Sequence, residues 1–203
     1  MAFLKRLFGG SRAEIKKEIE SRSPFLPKDE LPIDEKFTIN FKKNGGKFLY
    51  CENLEELSEN FLNILVENDW FESKVFSHES LLSKLIDENK LIPTNKMGSD
   101  VRFLLTSCES VIAEDGSILF SSAQIKHYKP SELPFNIIIV ATTSQIVPNK
   151  SGGLRKIKSK YADSIPTNIT SVNNFKTTTP SNDDFLNYGS TCKNLYLLLL
   201  ENL

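Results

Sequence analysis

Lys47-Phe-Leu-Tyr-Cys51, then Asn53-Leu-Glu-Glu56 leading into Leu57, Phe61, Ile64 and Leu65, then Lys74-Val-Phe76, sets a short apolar run, a helical pattern and a second short apolar run in sequence. Asn53 can cap the helix with Glu56 at its third position, and Leu54, Leu57, Phe61, Ile64 and Leu65 recur at the spacing of one helical face. After Phe76, Ser77 is placed to cap a second predicted helix with Leu81, Leu82, Leu85 and Ile86 turned inward. Strands alternating with helices in this way specify an α/β fold, a mostly parallel sheet flanked by helices.

Downstream the chain is richer in strands: Val101 to Thr106, Val111 to Ala113, Ser117 to Phe120, Asn168 to Val172 and Leu195 to Leu200. Asp115-Gly116 between two apolar runs is a hairpin signal, since glycine accepts positive φ without steric cost. Asn136-Ile-Ile-Ile-Val-Ala141 is apolar on both faces and suits a central strand. Leu154 to Tyr161 reads as a helix, and the polar stretch from Asn173 to Thr191 has too little apolar content for core. Upstream, the pattern alternates from Phe37 until Asn44-Gly45-Gly46 interrupts it. Further upstream, Ser11-Arg-Ala-Glu14 fits a capping box opening a helix through Ile15 and Ile19, and Pro24, Pro27 and Pro32 end it. Two regions follow from this: an N-terminal helical arm and linker over 1–34, and an α/β domain over 35–203.

With 25 Lys+Arg against 26 Asp+Glu, the formal charge of −1 excludes a strongly basic nucleic-acid binder. No run approaches the roughly 18 apolar residues of a membrane-spanning helix, and the first ten residues lack the apolar core of a signal peptide. A cytoplasmic protein without a transmembrane segment is expected. Cys51, Cys108 and Cys192 are odd in number and widely spaced, so no disulfide framework, metal knuckle or cluster-ligand run is predicted. Cys108 reads as a small buried hydrophobe.

None of the dinucleotide, P-loop, serine-hydrolase or zincin motifs occurs. Glu114 is the leading carboxylate: it is either a general base or acyl nucleophile fixed by a tight turn, or the ordinary tip of a hairpin. Gln124-Ile-Lys126-His127-Tyr128-Lys129 gathers donors after a strand, suiting either an anion or plain solvation. Ser151-Gly152-Gly153 opens a helix and is either an anion-binding terminus or a simple loop-to-helix transition.

Ser110-Val-Ile-Ala-Glu-Asp-Gly-Ser-Ile-Leu119, Ser131-Glu-Leu-Pro134, Asn136 to Ala141 and Gln145-Ile-Val-Pro148, in this order, resemble the LUD domain family, whose better-known members are lactate utilization C proteins. The resemblance implies a NagB/RpiA/CoA transferase-like fold. It also implies an accessory role in oxidising lactate, or a related 2-hydroxy acid, to pyruvate beside iron–sulfur partner proteins. Clusters would then sit only in those partners, with no cofactor in this chain. Glu114, Gly116 and Ser117 match the family turn, with Asp115 in place of the usual Thr. Ser107-Cys108 replaces a usual Gly, and Tyr188-Gly189-Ser190-Thr191 replaces a C-terminal Gly-Pro-Ser segment, which marks a shortened branch.

The site expected from these readings lies where Glu114, Asp115, Gly116 and Ser117 meet Gln124, Lys126 and His127 and the helix start at Gly152 and Gly153. Lys126 or His127 would hold the substrate carboxylate, and Glu114 would move the proton. Two rival readings stand beside it. One is a CoA-transferase-like acyl transfer through Glu114, and the other is a non-catalytic subunit that binds partners, or a second copy of itself, through Phe3 to Ile19.

Overall fold

The computed structural model describes residues 31–175 and 192–202. Its elements are α1 (Ile33–Lys43), β1 (Lys47–Cys51), α2 (Leu54–Asn68), β2 (Lys74–Phe76), α3 (Ser83–Glu88), β3 (Ile92–Thr94), β4 (Val101–Thr106) and β5 (Ser110–Ile112). Then follow β6 (Ser117–Phe120), α4 (Ser122–Ile125), β7 (Asn136–Thr142), β8 (Ile146–Val147), α5 (Lys150–Lys160), β9 (Thr170–Val172) and β10 (Asn194–Leu200). Met1–Leu31 and Pro32–Leu203 form separate units. The arm helix opened at Ser11, and Tyr188 to Thr191, lie outside the described residues.

The main sheet runs β1-β10-β7-β4-β2-β3, every neighbouring pair parallel. The expected α/β architecture is therefore present, with β7 in the interior of the sheet between β4 and β10. Alternate residues of each strand face opposite sides. Phe103, Leu105, Ile138, Tyr196 and Leu198 pack with Leu57, Phe61, Ile64 and Leu65 of α2, and with Leu82, Leu85 and Ile86 at α3. Leu104, Ile137, Ile139, Leu195 and Leu197 pack on the other side with Phe37 and Phe41 of α1 and with Val111, Ile118 and Phe120. The latter belong to a second sheet, β8-β5-β6-β9, whose far side packs through Ile112, Leu119 and Val147 against Ile157 of α5. The layers are thus α2 and α3, the main sheet, α1 with the small sheet, and α5.

Several local expectations need correction. Residues 33–43 form a helix where alternation suggested extended chain. Phe37 and Phe41 are buried at i, i+4 spacing while Ile39 between them is exposed, and Asp34, Glu35, Lys42 and Lys43 complement the helix dipole. Ile33 and Asp34, read as the end of the linker, are its first residues. Asn53 does cap α2 by accepting from Glu56 N, but Leu54 is exposed because it stands in the first turn, off the inward stripe. Ser77 caps nothing: a 3-10 turn over Ser80–Leu82 precedes the short α3, and it turns Leu81 out to solvent. α5 begins at Lys150 rather than Leu154, capped by Asn149 accepting from Gly152 N. Phe175, in the stretch read as too polar for core, is fully buried against Phe41, with ring centroids 5.1 Å apart.

Candidate functional site

The order of the main sheet creates a place where connections diverge. The chain leaving β2 moves outward to β3, whereas the chain leaving β4 moves the opposite way, through the β5–β6 hairpin, to β7. The carboxyl ends of β2 and β4 therefore form a switch point, the position at which open α/β sheets place a ligand crevice. The first residues beyond each strand there are Ser77, His78 and Glu79 after β2, and Ser107, Cys108 and Glu109 after β4.

Glu79 bridges the divergence. Its Oε1 accepts a hydrogen bond from Thr106 Oγ1 and another from Ser107 N at 2.8 Å. Its Oε2 has no partner among the described residues. His78 Nε2 lies 2.7 Å from Ala123 O, which can only accept, so the ring donates there and a neutral His78 leaves Nδ1 as an acceptor. Ser77 Oγ is buried and without a hydrogen-bond partner among the described residues.

Glu109 is buried beside the switch point. Its Oε1 accepts from Ser121 Oγ at 2.7 Å, Gln124 Nε2 at 3.1 Å and Tyr161 OH at 3.0 Å, and its Oε2 pairs with Lys160 Nζ at 3.1 Å. Burial alone would raise its pKa, but these donors outweigh it and hold the carboxyl below its ordinary value. Cys108 beside it is 1 % exposed, and burial, reinforced by the charges of Glu109 and Glu79, pushes its thiol far above the usual range. It is a buried thiol rather than a nucleophile.

The residues expected to form one site fall at two places. Gln124 stands at the open end of the hairpin, next to Glu109. Lys126 follows in a left-handed backbone conformation, its Nζ donating to Asn95 O, and His127 is exposed with its ring 4.3 Å from that of Tyr128. Glu114 to Ser117 form the closed end of the same hairpin, separated from its open end by the three-residue strand Ser110–Ile112, about 7 Å. There Glu114 is exposed and its N donates to Pro148 O. Asn40 Nδ2 of α1 donates to Ala113 O at 2.8 Å and Glu114 O at 3.1 Å, and Asn44 Nδ2 donates to Asp115 O at 2.6 Å. Since Asn44 leads into the start of β1, this turn lies toward the amino ends of the strands.

Asp115 accepts from Ser117 N and Oγ and pairs with Lys150 Nζ at 2.9 Å. Burial works against its ionisation, yet these contacts hold its carboxyl below the ordinary value. Gly116 has φ +67, as the turn requires. Gly153 meets the hairpin through packing, since a Cβ there would approach Leu119, Ile112 and Ser110, whereas Gly152 faces Asn149, Val147 and Pro148. Lys150 at the helix start pairs with Asp115 of the turn at one end of the hairpin, and Gln124 joins Glu109 at the other. Neither Glu79 nor Glu109 sits in a local motif; only the strand order brings them together.

No group of three or more His, Cys, Asp or Glu among the described residues is arranged to hold a metal ion, and no helix among them is long and apolar enough to cross a membrane. Comparison with curated protein sequences finds no match. Among solved structures, a protein from Deinococcus radiodurans described as a member of the DUF162 family is similar, with a TM-score of 0.60 at 15 % identity. That likeness covers 87 % of this chain and 100 % of the other, and it shows the fold. The LUD domain model matches residues 35–187, which span α1 through the small sheet and the switch point, and the chain belongs to the LUD domain family.

Proposed function

We propose that this LUD-domain chain is an accessory subunit in the oxidation of lactate or a related 2-hydroxy acid to the 2-oxo acid, with the switch point as its substrate site. The observation that carries the reading is the pairing of family membership with Glu79, a carboxylate at the switch point whose Oε2 has no partner among the described residues. Such an oxidation releases two electrons and two protons. Iron–sulfur clusters of partner proteins supply the electron sink in this reading. Within this chain, Glu79 accepts the proton of the substrate hydroxyl, the Cα hydrogen leaves with its electron pair toward the partner proteins' redox centre, and the Ser107 hydroxyl orients the acid.

The test is isolation of the tagged protein from its native cells, with mass spectrometry and an ultraviolet–visible spectrum of the eluate. Iron–sulfur partners with a brown chromophore and lactate-dependent bleaching are expected. Glu79→Gln retains Oε1 as acceptor for Thr106 and Ser107, so the fold persists while lactate-dependent turnover falls by about 100-fold or more. Glu114→Gln is expected to leave turnover unchanged. A colourless, solitary protein, or a Glu79→Gln variant with full turnover, overturns the reading.

A further inference from the structure

Charge is distributed very unevenly over the fold despite the near-zero total. Residues 52–73 carry seven carboxylates (Glu52, Glu55, Glu56, Glu59, Glu67, Asp69 and Glu72) and no Lys or Arg. Residues 150–160 carry five cations (Lys150, Arg155, Lys156, Lys158 and Lys160) and no carboxylate. The first segment is centred on α2 and the second is α5, and these helices form the two outermost layers on opposite sides of the main sheet.

Each helix shows one solvent stripe. On α2, Glu55, Glu59, Leu62 and Val66 are all exposed and follow one another at spacings of four, three and four residues, which aligns them on a single face. On α5, Leu154, Arg155 and Lys158 are exposed along one face. Lys150 and Lys160 are already paired with Asp115 and Glu109, and Lys156 donates to Ser144 O. Arg155 and Lys158 remain without a partner among the described residues, as do the carboxylates of Glu55 and Glu59. A negative stripe with two apolar side chains and a positive stripe with one thus lie on opposite faces of the same molecule.

We infer that α2 of one copy docks on α5 of a second copy of this chain, Glu55 and Glu59 facing Arg155 and Lys158 around a contact of Leu62 and Val66 with Leu154. Complementary potentials favour the encounter and set its orientation, and the apolar contact adds the short-range component. Because the two faces differ, the interface is heterologous: repetition closes a ring or continues as a chain of subunits. Exposed charge pairs are screened by salt, so the association weakens as ionic strength rises.

The test is sedimentation velocity of the full chain over a range of protein and salt concentrations. Mass should increase with protein concentration at low salt and return to the monomer at high salt. Arg155→Glu with Lys158→Glu, and separately Glu55→Lys with Glu59→Lys, should each weaken self-association about tenfold or more. All four positions are solvent-exposed, and circular dichroism should show both variants folded. Mixing the two variants in equal amounts should restore association, because each then meets the opposite charge. A wild-type monomer under all conditions overturns the inference. So does association that persists in both variants, which would place the contact elsewhere, or a mixture that stays monomeric.

Discussion

Replacing Glu109 with alanine is expected to lower the free energy of unfolding by about 3 kcal/mol, read as a shift in the urea midpoint at neutral pH. The Glu109 side chain is 1 % exposed and ties together three elements: the start of β5, the α4 capping box at Ser121 and Gln124, and the end of α5 at Lys160 and Tyr161. Alanine removes the acceptor for all of these donors. Lys160 is 57 % exposed and rehydrates readily, so its ion pair contributes little. Most of the loss falls on Ser121 and Gln124, which remain buried.

Glu109→Gln, which keeps an acceptor oxygen but not the charge, should cost about 1–2 kcal/mol. The pH dependence follows from the direction of the shift. The folded-state pKa lies below the ordinary carboxyl value of 4.5, so the contribution of the charge is complete above 4.5 and is lost as pH falls through the lower folded value. The gap between wild type and Glu109→Gln should therefore narrow as pH falls below 4.5. A gap that stays constant down to pH ~3 would contradict the role given to the carboxylate.

Gly116→Ala should be the most destabilising change of a single methyl group in the small sheet. At φ +67, a side chain already costs about 1 kcal/mol. In addition, the new Cβ would lie within 3.0 Å of Asn40 C and Phe41 N, which are main-chain atoms of α1. Helix backbone cannot swing aside as a flexible side chain can. Relief requires the turn to retreat from α1, which stretches the Asn40 and Asn44 hydrogen bonds to Ala113, Glu114 and Asp115. A loss of about 3 kcal/mol, or about 6–12 °C in Tm, is expected in thermal unfolding.

Gly152→Ala is the control, because its Cβ would meet nothing closer than 3.6 Å and its backbone is helical. That change should leave Tm unchanged or raise it slightly. A Gly116→Ala protein as stable as the wild type would mean that the hairpin does not rest on α1.

Much of this architecture is readable from local pattern. β1, β4, β7 and β10 are short apolar runs, and α2 combines a capping asparagine with an inward stripe, all features set by residues a few positions apart. α1 was misleading for a physical reason: Phe37, Ile39 and Phe41 satisfy both a period of two and an i, i+4 pair, and only packing decides between them. β3 is equally hard to read, since Ile92-Pro93-Thr94 is a three-residue edge strand containing a proline.

The site was legible only in part. Gln124 is marked in the sequence by its position after a strand, and the structure places it against Glu109. Glu79 and Glu109 carry no motif, and their importance comes from the order β4-β2-β3, a long-range property. Glu114 drew attention because a tight turn fixes its backbone. The structure uses that turn as a brace against α1.

The placement of β10 has a consequence for biosynthesis. Among the described residues β1 pairs with no strand but β10, and Lys47 and its neighbour Tyr196 are 149 positions apart. On the ribosome, β1 therefore emerges long before that partner, and β7 waits with one edge open until residues 194–200 appear. Sheet closure is accordingly a late event in synthesis, and a high contact order slows it further. During that interval the run Asn136–Thr142, buried in the finished sheet, presents an unpaired edge, a template on which a second chain could pair.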